Sequence, residues 1–293
     1  MELRHLRYFI ALAQTLNFTR AAEQLNIAQP PLSRQIIQLE EMLDTQLVIR
    51  ERPLRLTDAG RFFYEQSSVL LRQLENLAIQ TRRIGDGQKR WIGIGFAPST
   101  LFDKLPGLIR TLRKNSDLEV SLVEMTTLEQ LEALKAGRID LGFGRIRVND
   151  PAIHQEVLRE EPLVAVLPTG HPLSGDAVSL VELAQYPFVL YPASPRPSYA
   201  DHVMALFSNH GLAIEVGQWA NELQTAIGLV AAGLGITLVP ASVQHQKRED
   251  ITFCPITEPE AVSPIILSYR VSDTTRLLSE CLALVTNEIR DSQ

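Results

Sequence analysis

The sequence has few of the residues that mark secreted, metal-binding or membrane proteins. Its 293 residues include 2 cysteines, Cys254 and Cys281, whose spacing fits neither a disulfide framework nor a paired-cysteine zinc site. The 6 histidines are scattered, and no apolar run approaches the roughly 18 residues of a membrane-spanning helix. The apolar run Tyr8–Ala13 is also shorter than the roughly seven residues of the smallest signal-peptide core. These absences predict a cytoplasmic protein with structural thiols and no metal site.

Motifs for catalysis are equally scarce. Gly93-Ile94-Gly95-Phe96-Ala97-Pro98 begins like a dinucleotide-binding fingerprint, but Pro98 stands where the third glycine belongs. No Ser/His/Asp or Cys/His set stands out, and His171 and His202 are more simply interpreted as surface or packing residues. The sequence therefore favours a binding protein over an enzyme.

The charge is unevenly distributed along a chain that is long enough for two or three domains. The formal net charge is −6, yet the first 90 residues carry 13 lysines and arginines against 10 aspartates and glutamates. A weakly positive end on an acidic body is suited to a DNA-binding domain attached to a regulatory domain. Because the positive excess is small, we expect DNA affinity to depend on dimerisation and on a few well-placed arginines.

The segment Asn17–Glu40 has the pattern of two short amphipathic helices joined by a tight turn. Asn26 is predicted to adopt the left-handed conformation in that turn, since Asn tolerates it better than other residues with a Cβ. Pro30 and Pro31 fit the first turn of the second helix, where a missing N–H costs little. An ordinary helical hairpin shares this spacing, so the spacing alone leaves both interpretations open.

The residues of this segment, together with Met1–Phe9, resemble the DNA-binding end of the LysR-type transcriptional regulators, and the resemblance extends to about Gln293. It implies that the second helix is a recognition helix that enters the DNA major groove. Val48–Leu56 is expected to form a two-stranded wing, whose arginines are either solvated or close to phosphates. The winged helix–turn–helix domain is predicted to span residues 1–57. Its candidate DNA contacts are Thr19, Gln29, Pro30, Pro31, Ser33, Arg34, Arg50 and Arg52.

A long helix is predicted from Asp58 to about Ile84, with Thr57 as its N-cap. Apolar residues recur along it, and the helix is longer than a small domain requires. The resemblance implies that residues 58–88 form a linker helix and hinge, and that this helix pairs antiparallel with its copy in a second subunit. Such pairing would place two recognition helices in successive major grooves of a palindromic site.

From Trp91 onward strands and helices alternate, which predicts a mainly parallel sheet with helices on both faces. The resemblance implies that residues 89–293 form an effector-binding domain with the two-lobe α/β fold of periplasmic binding proteins. The first lobe is expected at about 89–161 and 266–293, and the second at about 162–265. An exported solute-binding protein shares this fold, but it would need a signal peptide and has no use for Asn17–Glu40. The predicted fold class is therefore α+β multidomain, with a winged helix–turn–helix, a linker helix and a two-lobe effector domain.

Polar residues follow the first strands of this second region. Ser99 and Thr127 each follow a predicted strand and precede a helix, and Arg145 follows the next strand. Turns at the carboxyl ends of such strands border the ligand crevice, where backbone N–H groups and hydroxyls bind anions. The alternative role for Ser99 and Thr127 is simple capping of the following helix.

Within the LysR family, the chain resembles activators of catechol and benzoate degradation, through runs such as Gly142–Arg145 and Tyr191–Tyr199. In that group the effector is cis,cis-muconate, a flat dicarboxylate. The resemblance implies a transcriptional activator that responds to this inducer and needs no cofactor. Matched residue by residue, the implied effector-binding positions are Ser99, Thr127, Arg145, Pro197, Ser198, Tyr199 and Ile265.

The resemblance also implies the partners, which are promoter DNA, RNA polymerase, a small carboxylate inducer and further copies of the chain in a dimer or tetramer, with no membrane. Another small carboxylate, such as chloromuconate or benzoate, is the alternative inducer. Some members of the group have a second site for aromatic acids, built from an arginine and an aromatic ring near the C-terminus. Arg159 fits the first requirement, but no aromatic residue follows Tyr269.

Overall fold

The computed structural model describes residues 1–51, 53–85, 90–175, 177–246 and 248–286. The chain divides into two compact units, Met1–Gly87 and Gln88–Gln293. Within the described ranges, no helix is both long enough and apolar enough to cross a membrane.

The first unit consists of short helices, a two-stranded hairpin and a long helix. Its strands pair antiparallel, with Val48 opposite Leu56 and Ile49 opposite Arg55. In chain order its elements are α1 (Leu3–Thr15), α2 (Phe18–Gln24), α3 (Gln29–Leu43), β1 (Val48–Ile49), β2 (Arg55–Leu56) and α4 (Asp58–Gly85).

Helices α1, α2 and α3 pack around a small apolar core. Phe9 and Leu12 of α1 and Leu32 and Ile36 of α3 are fully buried, because their helical spacing places them on one face of each helix. Asn26, in the turn between α2 and α3, has φ 53°. The predicted left-handed turn is therefore confirmed, as is the helical pair on either side of it.

The second unit alternates strands and helices. Two 3-10 helices, Pro98–Phe102 and Ala241–His245, lie between its longer elements. These are β3 (Arg90–Phe96), α5 (Leu105–Arg113), β4 (Leu118–Glu124), α6 (Thr127–Lys135), β5 (Leu141–Gly144), β6 (Ile153–Pro168), α7 (Leu180–Leu183), β7 (Phe188–Leu190), α8 (Tyr199–Asn209), β8 (Val216–Trp219), α9 (Leu223–Ala231), β9 (Thr237–Pro240), β10 (Ile251–Pro255), β11 (Val262–Arg270) and α10 (Arg276–Val285).

One long strand connects the two lobes of this unit. The first-lobe sheet has the order β4-β3-β5-β11-β6, in which β3 is parallel to β4 and β5, and β11 is antiparallel to β5 and β6. The 16-residue β6 continues into the second lobe, where it pairs antiparallel with β9 and β10. Each lobe has its own apolar core, one around Ile94 and Phe143 and the other around Val166, Phe188 and Phe207.

The structure corrects the predicted sheet. The β3–β4–β5 part is parallel as predicted, but the sheet as a whole is mixed, because β6 and β11 cross between the lobes in opposite directions. Strand β6 begins at Ile153, and its first half mixes charged and buried positions without an apolar run, so that half has little strand pattern in the sequence. Strand β8 is mostly exposed, so it has little hydrophobic pattern in the sequence.

Candidate functional site

The N-terminal half of α3 presents polar side chains to the surface. Leu32, Ile36 and Leu39 face the core, which leaves the opposite side of the helix to solvent. A helix presented in this way enters the major groove in helix–turn–helix proteins, with its first residues at the base edges. The predicted contacts on α2 and α3 are all exposed or half-buried: Thr19, Gln29, Pro30, Pro31, Ser33 and Arg34.

The wing contacts α3 through Glu40, a buried carboxylate that was not singled out in the sequence. Its Oε1 accepts hydrogen bonds from Leu47 N at 2.9 Å and from Val48 N at 3.1 Å. Its Oε2 pairs with Nη2 of Arg50 at 2.5 Å, and 41% of the Arg50 side chain is exposed. Arg52, the other predicted wing contact, lies outside the described residues. The sequence contains one sign that Glu40 is buried, because this residue falls on the apolar side of an amphipathic helix.

The start of α4 packs closely against Leu47, the residue that precedes β1. Thr57 Oγ1 accepts a hydrogen bond from Gly60 N at 2.9 Å, so Thr57 caps the helix as predicted. A Cβ on Gly60 would lie 2.0 Å from the carbonyl oxygen of Leu47, so only glycine fits there. Farther along, α4 exposes a stripe of large apolar side chains, which is where a partner helix could pack: Phe62, Leu70 and Leu77.

A cavity of about 300 Å³ opens between the lobes of the second unit, at the carboxyl ends of β3, β4 and β5. The turns after these strands form its first-lobe wall, and the segment Tyr191–Tyr199 and the start of α9 form its second-lobe wall. Its volume lies at the small end of the range for ligand pockets. The cavity brings together most of the predicted effector residues: Ser99, Thr127, Arg145, Pro197, Ser198 and Tyr199.

Arg145 orients the two first-lobe hydroxyls of the cavity. Its Nε donates to Ser99 Oγ at 2.7 Å, and its backbone N–H donates to Thr127 Oγ1 at 3.1 Å. The oxygens of Ser99 and Thr127 accept these hydrogen bonds, so the O–H groups of both side chains remain free to donate to a ligand. Neither hydroxyl caps a helix, since α6 is capped by Thr126, whose side chain accepts from Glu129 N, and no side-chain cap bond precedes the 3-10 helix that contains Ser99.

The close approach of α6 to β5 depends on Gly144. A Cβ at this position would lie 2.6 Å from Thr127 Oγ1 and 2.9 Å from Thr127 Cγ2. Any side chain would push the start of α6 away from the backbone N–H of Arg145. The glycine that precedes Arg145 in the sequence is therefore part of the site geometry.

A buried ion pair extends from the cavity toward the second lobe. Arg145, 3% exposed, pairs through Nη2 with Glu161 Oε2 at 2.7 Å. The other oxygen of Glu161 accepts a hydrogen bond from Ser242 N at 2.7 Å. Burial raises the pKa of Glu161, but the charge of Arg145 and the hydrogen bonds from Ser242 outweigh it, so the pKa lies below its usual value. Glu161 was missed in the sequence because it belongs to a charged run that has the pattern of a solvated segment.

Two helices of the second lobe begin at the cavity. Tyr199 opens α8 and Leu223 opens α9, and both residues line the cavity. The backbone N–H groups at such helix starts favour a carboxylate. The Ser198 hydroxyl donates to Pro192 O at 3.1 Å, and the Tyr199 hydroxyl donates to Leu238 O at 3.4 Å. These two side chains therefore already have partners within the protein.

The charge of the cavity wall is mostly negative. Arg145 is the only cation among the described residues that line it, and its guanidinium is paired with Glu161. Three exposed carboxylates also line the cavity: Glu124, Glu129 and Glu222. A carboxylate ligand must therefore be bound mainly by neutral donors, namely hydroxyls and helix N–H groups.

Two positions singled out in the sequence lie elsewhere. Ile265 is 3% exposed in the apolar core of the first lobe and is not among the residues that line the cavity. It lies opposite Arg159 where β11 pairs with β6. Arg159 Nη2 is paired with Asp103 Oδ2 at 2.8 Å, so its charge is already satisfied. Neither residue is placed to contact a ligand in the cavity.

Comparison with known families matches both parts of the chain. The model described as "LysR substrate binding domain" matches residues 85–290, and "Bacterial regulatory helix-turn-helix protein, lysR family" matches residues 3–61. The chain is 66% identical over 288 residues to the HTH-type transcriptional regulator CatR of Pseudomonas putida, covering 98% of this chain and 99% of that protein.

Solved structures agree with this match. Full-length BenM, a regulator of Acinetobacter baylyi, is 42% identical with a TM-score of 0.63, covering 99% of this chain and 96% of that chain. Full-length CbnR in complex with its target DNA is 30% identical with a TM-score of 0.70, covering 98% of this chain and 100% of that chain. The similarity therefore spans both the helix–turn–helix unit and the two-lobe unit.

Proposed function

Because this chain belongs to the LysR family of bacterial transcriptional regulators, we propose that it activates genes of catechol or benzoate degradation in response to cis,cis-muconate. The observation that carries the proposal is the pair of free hydroxyls, Ser99 and Thr127, which Arg145 orients in the cavity between the lobes. Free donors at one wall and helix starts at the other suit a ligand with a carboxylate at each end.

One carboxylate of muconate accepts hydrogen bonds from Ser99 and Thr127. A hydrogen bond to a charged group contributes about 1.5–3 kcal/mol net, so two of them are a large share of the affinity of a small ligand. The second carboxylate faces the starts of α8 and α9, and the apolar diene lies against Pro197 and the ring of Tyr199. Arg145 stays paired with Glu161 and acts mainly through the two hydroxyls that it positions.

Ligand binding favours one arrangement of the lobes. A ligand that contacts both walls stabilises the lobe angle at which both carboxylates are bonded. The polar chain from Ser99 through Arg145 and Glu161 to Ser242 couples the same two lobes. In an assembly of several chains, a changed lobe angle alters the spacing of the recognition helices and the bend of the DNA.

The active form is a dimer or tetramer in the cytoplasm, bound to promoter DNA and in contact with RNA polymerase. The apolar stripe Phe62, Leu70 and Leu77 supports pairing of α4 between chains. No cofactor takes part, and muconate is a signal rather than a substrate. Muconate incubated with the purified protein should therefore be recovered unchanged.

A chloromuconate is the second candidate inducer. The donors of the cavity are hydroxyls and backbone N–H groups, which bind the carboxylates and do not read a substituent on the diene. Benzoate fits less well, because it has one carboxylate and because Arg159 is already paired with Asp103.

The test is a muconate titration read by DNA footprinting, with operator fragments selected by the ligand-free protein from a genomic library. We expect a defined protected region whose boundaries or hypersensitive positions change as muconate is added. A footprint that is identical with and without muconate, but changes with chloromuconate, would assign the second candidate. Absence of any protected region would contradict the DNA-binding role.

A further inference from the structure

Tyr191 follows β7 and lines the cavity, and its hydroxyl lies beside the phenol of Tyr199 without a well-aligned hydrogen bond to any described residue. The side chain is 7% exposed, and its ring packs against that of Tyr199 with the centroids 5.2 Å apart. A buried hydroxyl without a partner destabilises a folded protein, because it has lost its hydrogen bonds to water. An unpaired hydroxyl at a cavity wall is therefore a candidate ligand contact.

The other buried hydroxyls on the second-lobe side of the cavity are already used. Ser198 Oγ donates to Pro192 O at 3.1 Å, and Tyr199 Oη donates to Leu238 O at 3.4 Å. Ser99 and Thr127, which have free O–H groups, both belong to the first lobe. Among the described second-lobe residues that line the cavity, Tyr191 is thus the buried side-chain donor that remains available to a ligand.

The protonation state of Tyr191 suits a donor. Burial raises the pKa of Tyr191 well above its usual value, and burial raises the pKa of Tyr199 in the same way. Both phenols therefore keep their protons at neutral pH. A protonated phenol pairs well with an anionic oxygen, and the wall of this cavity offers few cations for that purpose.

We propose that Tyr191 Oη donates a hydrogen bond to the ligand carboxylate on the second-lobe side, and that this bond makes the cavity select dicarboxylates over monocarboxylates. The inference rests on the proposed function in taking this cavity as the effector site. A monocarboxylate bound to Ser99 and Thr127 leaves Tyr191 unpaired, whereas a dicarboxylate of the right length satisfies both walls. A site that holds a buried polar group for its ligand discriminates strongly against an analogue that lacks the matching group.

The test compares the full-length protein with its Tyr191→Phe variant by titration calorimetry. Two ligands are used: cis,cis-muconate, and 2,4-hexadienoate, which keeps the diene and one carboxylate. We expect Tyr191→Phe to weaken muconate binding roughly 10-fold or more, since a hydrogen bond to a charged group is lost, and to change hexadienoate binding less than about twofold.

Thermal unfolding of the ligand-free proteins gives a second measurement. If the Tyr191 hydroxyl had a purely structural role, its removal would lower the unfolding midpoint. Removing an unpaired buried hydroxyl should leave the unfolding midpoint of Tyr191→Phe equal to that of the wild type or raise it. Tyr186→Phe is the matched control, because Tyr186 lies in the same lobe, packs against His171 and does not line the cavity. Its affinity for both ligands should equal that of the wild type.

Unchanged muconate affinity in Tyr191→Phe, or equal losses for muconate and hexadienoate, would overturn the proposal and leave the proposed inducer intact. A wild-type protein that ignores muconate but binds another dicarboxylate would refute the inducer instead. The selective loss in Tyr191→Phe, measured with that dicarboxylate, would then still support the role of Tyr191. Binding of monocarboxylates alone would overturn both.

Discussion

The Nε of Arg145 lies 2.7 Å from the Oγ of Ser99, so the hydroxyl of Ser99 accepts from the arginine and keeps its own proton for a ligand. Ser99→Ala should therefore weaken muconate binding roughly 10- to 100-fold, which corresponds to one hydrogen bond to a charged group. Ser99→Thr, which keeps the hydroxyl, should retain more of the affinity. Titration calorimetry measures both.

Thr100→Val is the matched control for this substitution. Thr100 is the next residue and is also buried, but its hydroxyl donates to Ala97 O at 2.8 Å and it does not line the cavity. The variant should lose some stability and keep the wild-type affinity for muconate. Equal losses of affinity in Ser99→Ala and Thr100→Val would mean that the effect is structural.

The ion pair of Arg145 with Glu161 predicts a pH-dependent stability. Glu161→Gln should destabilise the protein by about 3 kcal/mol at pH 7, because it leaves a buried guanidinium without its counter-charge. The folded pKa of Glu161 lies below that of the unfolded side chain, so its stabilisation is fully present above the unfolded value of about 4.3. The stabilisation is lost as the pH falls through the lower folded pKa.

Urea unfolding of the wild type and Glu161→Gln between pH 7 and pH 3.5 measures this effect. The gap between the two free energies of unfolding should narrow at the acidic end. Glu160→Gln is the control, since Glu160 is the exposed neighbour on the same strand, and it should show little difference at any pH. If the free energies of unfolding of the wild type and Glu161→Gln differ by the same amount at every pH, the negative charge of Glu161 does not stabilise the fold.

The contact of Glu40 with the wing predicts a local effect in the first unit. Glu40→Ala removes the acceptor for the N–H groups of Leu47 and Val48 and the partner of Arg50. Hydrogen exchange of those two amides should become roughly 10- to 100-fold faster, because a buried charge-assisted acceptor is lost. Glu41→Ala, at the exposed neighbouring position, should leave both amides protected. Unchanged exchange in Glu40→Ala would show that the wing is held by other contacts.

Arg34 is exposed in the first half of α3 and has the position of a base-reading residue. Arg34→Ala should cost about 1–3 kcal/mol of DNA affinity and relax the sequence preference at one position of the operator. Binding to a set of single-base operator variants measures this. Arg113→Ala removes the same charge from an exposed position on α5 of the second unit and should not change that preference. Uniform weakening on all operator variants would make Arg34 a phosphate contact.

Local chemistry explains why much of the first unit could be predicted from the sequence. The left-handed turn at Asn26, the cap at Thr57 and the apolar spacing of α3 each depend on residues within a few positions of one another. The same holds for Ser99 and Thr127, because a turn between a strand and a helix is visible in the sequence itself. These residues line one cavity, as the resemblance implied.

The remaining features depend on residues that are distant in the sequence. Glu161 belongs to a charged run, and only the fold shows that it is buried against Arg145 and Ser242. The first half of β6 lacks an apolar run, and it forms a strand by pairing with β11, which is distant in the sequence. In the sequence, Tyr191 is simply the residue after a buried strand. Only the fold shows that its hydroxyl is buried at the cavity wall without a well-aligned hydrogen bond.

Calorimetric titration of the full-length protein with cis,cis-muconate tests whether Ser99 and Thr127 bind this inducer, with the Ser99→Ala/Thr127→Ala double variant titrated in parallel. We expect saturable binding well below millimolar ligand for the wild type, and a loss of roughly 100-fold or more in the double variant, as for two hydrogen bonds to a charged group. Absence of binding at millimolar muconate, or equal affinity in the wild type and the double variant, would contradict this expectation.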